Sequence, residues 1–141
     1  SMLVFDAVIY NEDRHFGNFG VLRNQHSGEI IGAAPIFDNG LSLFNFAMPD
    51  DFKDLDSYAK TRGTAYGVSF ESVCQEVMGP VQARQLRRLL IGFTFHRHPK
   101  LNLPEYRLQA IEKHTQTRVQ QLLRLQPEHK KESIKHDRAE R

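Results

Sequence analysis

An aspartate, Asp13, precedes an asparagine, Asn18, by five positions, and a second aspartate, Asp38, follows that asparagine by twenty. Phosphoryl transfer from a metal-bound nucleotide uses such a set. One carboxylate accepts the proton of the attacking hydroxyl, while an amide oxygen and another carboxylate hold Mg²⁺ against the phosphates. On this chemistry Asp13 is the base, and Asn18 and Asp38 bind the metal and, through it, the nucleotide. Read as local structure instead, Asp13 and Asn18 cap a turn and Asp38 begins one.

The elements that would position these groups are legible around them. The spacing from Asp13 to Asn18 exceeds one helical turn and suits a loop that bends back on one cleft. Gly17 is expected to give that loop a backbone conformation closed to other residues. Residues 18–22 read as a strand, 23–27 as a turn and 28–32 as the returning strand. A hairpin of this length brings Asp38 back beside Asn18, and Asp38-Asn39-Gly40 is itself a turn sequence. His15 lies inside the loop. Its role stays open between orienting Asp13 or touching phosphate, and bracing the turn through the backbone.

The same residues carry a resemblance. Protein kinases share a catalytic loop H-R-D-L-x-x-x-N followed by D-F-G. The Asp13-to-Asn18 spacing matches, and Asp38-Asn39-Gly40 stands where D-F-G would. The fuller string, Asn11-Glu12-Asp13-Arg14-His15-Phe16-Gly17-Asn18-Phe19-Gly20 with Ala34-Pro35-Ile36-Phe37-Asp38-Asn39-Gly40, resembles the HipA-like serine/threonine kinases of bacteria over residues 4–44. It is also similar to phosphatidylinositol kinases, which share an Asp-Arg-His-x-x-Asn loop. The resemblance implies the C-terminal lobe of a kinase-like fold, ATP as donor, Mg²⁺ at Asn18 and Asp38, Asp13 as catalytic base and a protein hydroxyl as acceptor. It also implies a DNA-binding, antitoxin-like partner, beside which such kinases often work. Asn11 and Glu12 replace the His-Arg of ordinary protein kinases, so control through that arginine is not expected. Asn39 replaces the phenylalanine of D-F-G, so neither is a flipping aromatic.

The rest of the chain frames this site. Its 141 residues, 40% hydrophobic, are expected to form one domain over 1–126 with a charged tail at 127–141. Residues 3–10 run apolar except for Asp6 and read as a buried helix without a polar lead-in, after a Ser1-Met2 start that reads as an addition. A kinase also needs a nucleotide-binding lobe with its lysine and glycine-rich loop. Neither G-x-G-x-x-G nor a Walker loop occurs here, so that lobe is expected upstream. The isolated chain is then expected to be inactive.

Residues 41–46 alternate apolar and polar and read as extended. The cluster Asp50, Asp51, Asp54 and Asp56 reads as the solvated start of a helix whose apolar face is Phe52, Leu55, Tyr58 and Ala59. Residues 62–67 read as a surface loop; Lys60, Arg62 and Thr64 would reach phosphate if it folded over the site. Ser69 caps a helix running through Val77, and Met78-Gly79-Pro80 ends it. A helix over 81–93 sets Leu86, Leu89, Leu90 and Phe93 against Arg84, Arg87 and Arg88. After a loop at 95–104, Pro104 opens a last helix to about residue 126, with Leu108, Ile111, Val119, Leu122 and Leu123 as its buried stripe. The lone Cys74 sits on an apolar helix face, reads as core and excludes an internal disulfide. His96 and His98 alternate, but no further ligands complete a zinc set.

Charge is divided along the chain. Residues 1–80 hold 5 Lys+Arg against 11 Asp+Glu, net −6, and residues 81–141 hold 14 against 6, net +8. An acidic half suits a cation site. The basic half admits a different class of protein, a pseudokinase or interaction module for nucleic acid or an acidic partner, though its charges read as solvated helix faces. No apolar run approaches a membrane span and no signal peptide is seen, so a cytoplasmic protein is expected. The expected fold is α+β and predominantly helical, with a small β-hairpin beside the catalytic loop.

Overall fold

The computed structural model describes residues 2–125; the charged tail expected at 127–141 lies outside them. In chain order the elements are α1 (Met2–Ile9), β1 (Val21–Arg23), β2 (Ile30–Ala33), a 3-10 turn (Asp51–Asp54) running into α2 (Leu55–Ala59), α3 (Phe70–Val77), α4 (Pro80–Leu89) and α5 (Glu105–Arg124). The class is α+β and mostly helical, with one two-stranded antiparallel sheet. No helix among the described residues is long and apolar enough to cross a membrane.

Helix α1 is the centre of the packing. Its residues Val4, Ala7 and Val8 are buried, and it lies against α3 and α5. Helix α3 begins as its sequence predicts: the Ser69 hydroxyl accepts from the Ser72 amide at 3.1 Å, satisfying a donor that the first turn leaves open. Phe70 and Cys74, one turn apart, then enter the core with Met78. Burial pushes the Cys74 thiol up to about 11. Helix α5 buries Leu108, Ile111, Val119 and Leu122, as its spacing requires, while Leu123 is only half-buried against them. Arg97 holds the preceding loop to it, pairing with Glu112 and with Glu105 at 2.7 Å.

The hairpin strands, expected at 18–22 and 28–32, form at Val21–Arg23 and Ile30–Ala33, and two further segments depart from their expected form. Helix α4 stops at Leu89 rather than 93; Gly92 takes φ 143° and Leu90 faces solvent. Residues 41–46 are not extended. Leu43 and Phe44 are left-handed, with φ 51° and 60°, which costs roughly 1–2 kcal/mol per residue. Burial of the Phe44 ring opposes that cost: it packs against Tyr10 at 4.9 Å, His114 at 5.1 Å and Tyr58 at 6.0 Å between centroids. The bend is tied to α1 by Leu43 N–H donating to the Ile9 carbonyl at 2.6 Å.

Polar groups interrupt the α5 stripe at its middle. His114 is buried, with Nδ1 2.7 Å from Asp56 Oδ1 and Nε2 3.3 Å from the Tyr10 hydroxyl. Burial holds the imidazole below its usual pKa, more than Asp56 raises it. Asp56 is largely solvent-exposed, so its charge is screened. The neutral ring then donates from Nδ1 to Asp56 and accepts from Tyr10, whose own pKa burial raises to about 12. Because the folded value is depressed, the unfolded chain binds the proton first as pH falls. Stability from His114 is complete above the ordinary value near ~6.5 and is lost on descending through it. The expected result is a melting temperature that falls between about pH 7.5 and 5.5, with a shallower slope in His114→Gln. Equal slopes in the two proteins would contradict this.

Candidate functional site

The site loop is built around a buried arginine. Arg14 is 2% exposed and makes five hydrogen bonds. Nε and Nη2 fork onto the two oxygens of Asp6, at 3.0 and 2.9 Å. Nη1 donates to the Asn18 carbonyl at 2.7 Å and to the Phe37 carbonyl at 2.6 Å, and Nη2 also reaches Asn39 Oδ1 at 2.6 Å. Asp6 comes from α1, Asn18 from the loop, and Phe37 and Asn39 from the segment after the hairpin. One nitrogen thus holds together the backbones at Asn18 and next to Asp38. Its hydrogen bonds to Asp6 raise the Arg14 pKa against the opposing effect of burial, with the charges of Asp6 and Asp38 adding to the rise.

Smaller contacts set the loop's shape. Asn11 donates to Asp6 Oδ1 at 3.2 Å and accepts from the Asp13 amide at 3.2 Å. Asn18 is buried and donates from Nδ2 to the Asp13 carbonyl at 2.7 Å. Among the described residues no hydrogen bond reaches Asn18 Oδ1, the oxygen a metal would take. His15 Nδ1 accepts from the Gly17 amide at 3.0 Å, so this ring braces the turn while itself exposed. Gly17 does not take a positive φ, and a Cβ there would meet only the exposed His15 ring, 2.9 Å from Cε1. The left-handed residue is instead Asp38, with φ 54°.

The hairpin performs the return expected of it. β1 pairs with β2 as Val21 with Ala33 and Leu22 with Gly32, then slips by one residue so that Arg23 faces Ile30. Asn24 Oδ1 accepts from the His26 and Ser27 amides, and Gly28 supplies φ 74° to close the turn. Asp38 stands five residues past β2, exposed, in an irregular segment rather than on a strand end. Asp13 is half-buried in the loop. No hydrogen bond links the side chains of Asp13, Asn18 and Asp38 to one another; what the fold brings together is the main chain that bears them. Among the described residues no three His, Cys, Asp or Glu side chains cluster to hold a metal. The available donors are two carboxylates and an amide oxygen, hard ligands of the kind Mg²⁺ takes with water and phosphate completing its shell.

The loop at 62–67 does fold beside the site. Arg62 Nη1 pairs with Glu12 Oε2 at 3.3 Å, and Tyr66 packs on Phe16 at 5.6 Å between centroids. Sequence reasoning missed the Asp6–Arg14–Asn39 network. Its signal was Asp6 itself, a carboxylate inside an apolar helix that cannot be buried without a cation. Comparison with protein-family models, curated proteins and solved structures yields no match for this chain.

Proposed function

We propose that the chain is the catalytic-loop portion, a kinase-like C-terminal lobe, of a HipA-like serine/threonine kinase that phosphorylates a protein hydroxyl. The observation that carries this is Arg14 Nη1 bridging the carbonyls of Asn18 and Phe37, which draws the Asp13–Asn18 loop to the Asp38 turn. In this reading an Asp13 carboxylate oxygen takes the proton of the acceptor hydroxyl as the hydroxyl oxygen bonds to the γ-phosphorus of ATP. The bond from that phosphorus to the bridging oxygen breaks, and ADP leaves. Asn18 Oδ1 and the Asp38 carboxylate would hold Mg²⁺, which when bound would neutralise charge developing on the phosphates. Arg14 keeps the two ligand-bearing segments at fixed separation. The remaining phosphate contacts belong to a nucleotide lobe outside these residues.

Paramagnetic broadening tests the metal site in the chain as it stands. Mn²⁺ added to the ¹⁵N-labelled protein is expected to broaden the amide signals of the Asp13–Asn18 loop and the Asp38 turn first. Excess Mg²⁺ should reverse the effect, and Asp38→Asn should remove it. Broadening spread evenly over acidic surface residues, or unchanged in Asp38→Asn, would count against the assignment.

A further inference from the structure

Beside the site loop a cavity of about 420 Å³ lies among α2, α3 and α5. Lys60, Arg62 and Arg118 bring three cationic side chains to its wall. The two acidic wall residues are already engaged, Glu71 with Arg118 and Asp56 with His114. Arg118 is 2% exposed; it donates from Nε to the Ala7 carbonyl at 3.0 Å and from Nη1 to Glu71, yet its buried Nη2 has no partner among the described residues. Nη2 is itself enclosed, and the guanidinium lies 4.5 Å over the Tyr10 ring, so Arg118 contributes positive charge behind the cavity wall rather than a donor that a ligand reaches. No carboxylate among the described residues lies within ion-pair distance of Lys60. The first turn of α3, at Ser69, Phe70 and Glu71, also lines the cavity and adds the positive end of its dipole.

We propose that this cavity binds a phosphomonoester, with the phosphate on Lys60 and Arg62 and the charge of Arg118 behind them. The space is several times that of a phosphate ion, so it admits the ester's organic group, as in a phosphorylated serine or threonine side chain. Arg62 gives the site a route to the loop. Its present partner, Glu12, is the residue before Asp13, and the Glu12 amide donates to the Leu41 carbonyl at 3.2 Å. Both partners of that ion pair are partly exposed, so the pair holds weakly. A dianion on the same guanidinium displaces Glu12 and frees the chain at Asp13. Binding does not depend on what Asp13 does; only an effect on phosphoryl transfer rests on the proposed function.

Titration of the ¹⁵N-labelled chain at constant ionic strength, with O-phosphoserine, inorganic phosphate and succinate, separates the possibilities. O-phosphoserine is expected to shift the amide signals of Lys60 and Arg62 together with those of Glu12 and Asp13. Lys60→Ala, a surface change that keeps the Arg62–Glu12 pair, should weaken binding about tenfold, the loss of one charge-assisted hydrogen bond. Arg62→Ala should weaken binding and leave Glu12 and Asp13 unmoved by ligand. Inorganic phosphate binding as tightly as the ester would overturn the ester in favour of the free ion, and succinate binding equally would overturn phosphate recognition. Absence of shifts at Lys60 and Arg62, or an unaltered titration in Lys60→Ala, would overturn the site itself.

Discussion

Arg14→Met is expected to lower the unfolding free energy by about 3–5 kcal/mol, the range for removing one partner of a buried ion pair. The Asp6 side chain is only 3% exposed, and without Arg14 its charge has no ion-pair partner among the described residues. The Asn18 and Phe37 carbonyls lose their donor in the same step. Urea unfolding measures the loss. The double variant Asp6→Leu/Arg14→Met supplies the control: with both charges removed, much of the stability should return, because the cost lies in the unpaired carboxylate rather than in the absent arginine. Arg14→Lys should recover little, since an ammonium cannot fork onto Asp6 while reaching two carbonyls and Asn39. A loss below about 1 kcal/mol, typical of surface pairs, would mean that Arg14 does not organise the loop.

Asp38→Asn tests the other end of the same arrangement. Under the proposed function, in a protein that also carries the nucleotide lobe, it is expected to reduce phosphoryl transfer by about 10²–10³-fold, comparable with deleting one preorganised electrostatic contact in a transition state. Thermal unfolding should barely move. Asp38 is exposed, and asparagine tolerates the left-handed backbone at φ 54° that this position requires. Asp38→Ala would lose the carboxylate too but adds backbone strain, so it is the poorer probe. Turnover measured against protein acceptors and phosphatidylinositol vesicles in parallel identifies the acceptor class. Transfer to lipid alone would replace the protein-kinase reading, and undiminished turnover in Asp38→Asn would remove the metal role.

The elements read correctly from the sequence are those fixed by local chemistry. Ser69 announces α3 through its cap and Pro104 announces α5, and the alternation around 18–32 announces a hairpin, though Gly28 closes its turn instead of opening the returning strand. These signals act within a few residues, so a sequence shows them directly. What escaped reading depends on distant partners. The alternation at 41–46 predicts an extended segment, but the Phe44 ring finds its place among Tyr10, Tyr58 and His114 only if the backbone turns left-handed. His114 and Arg118 sit on the buried face of α5 because Tyr10, Asp56, Ala7 and Glu71 receive them, and those residues lie 47 to 111 positions away. At the site, the types and spacing of Asp13, Asn18 and Asp38 were legible. The buried arginine that relates their segments was visible only as a letter in a motif.

The fold also contains its own clock for structural opening. Cys74 is fully enclosed, and its thiol is held protonated well above neutral pH. An alkylating reagent therefore meets neither an accessible sulfur nor a thiolate while α3 stays seated on α1. Labelling of the unaltered chain must wait for those two helices to part, so its rate counts how often they do.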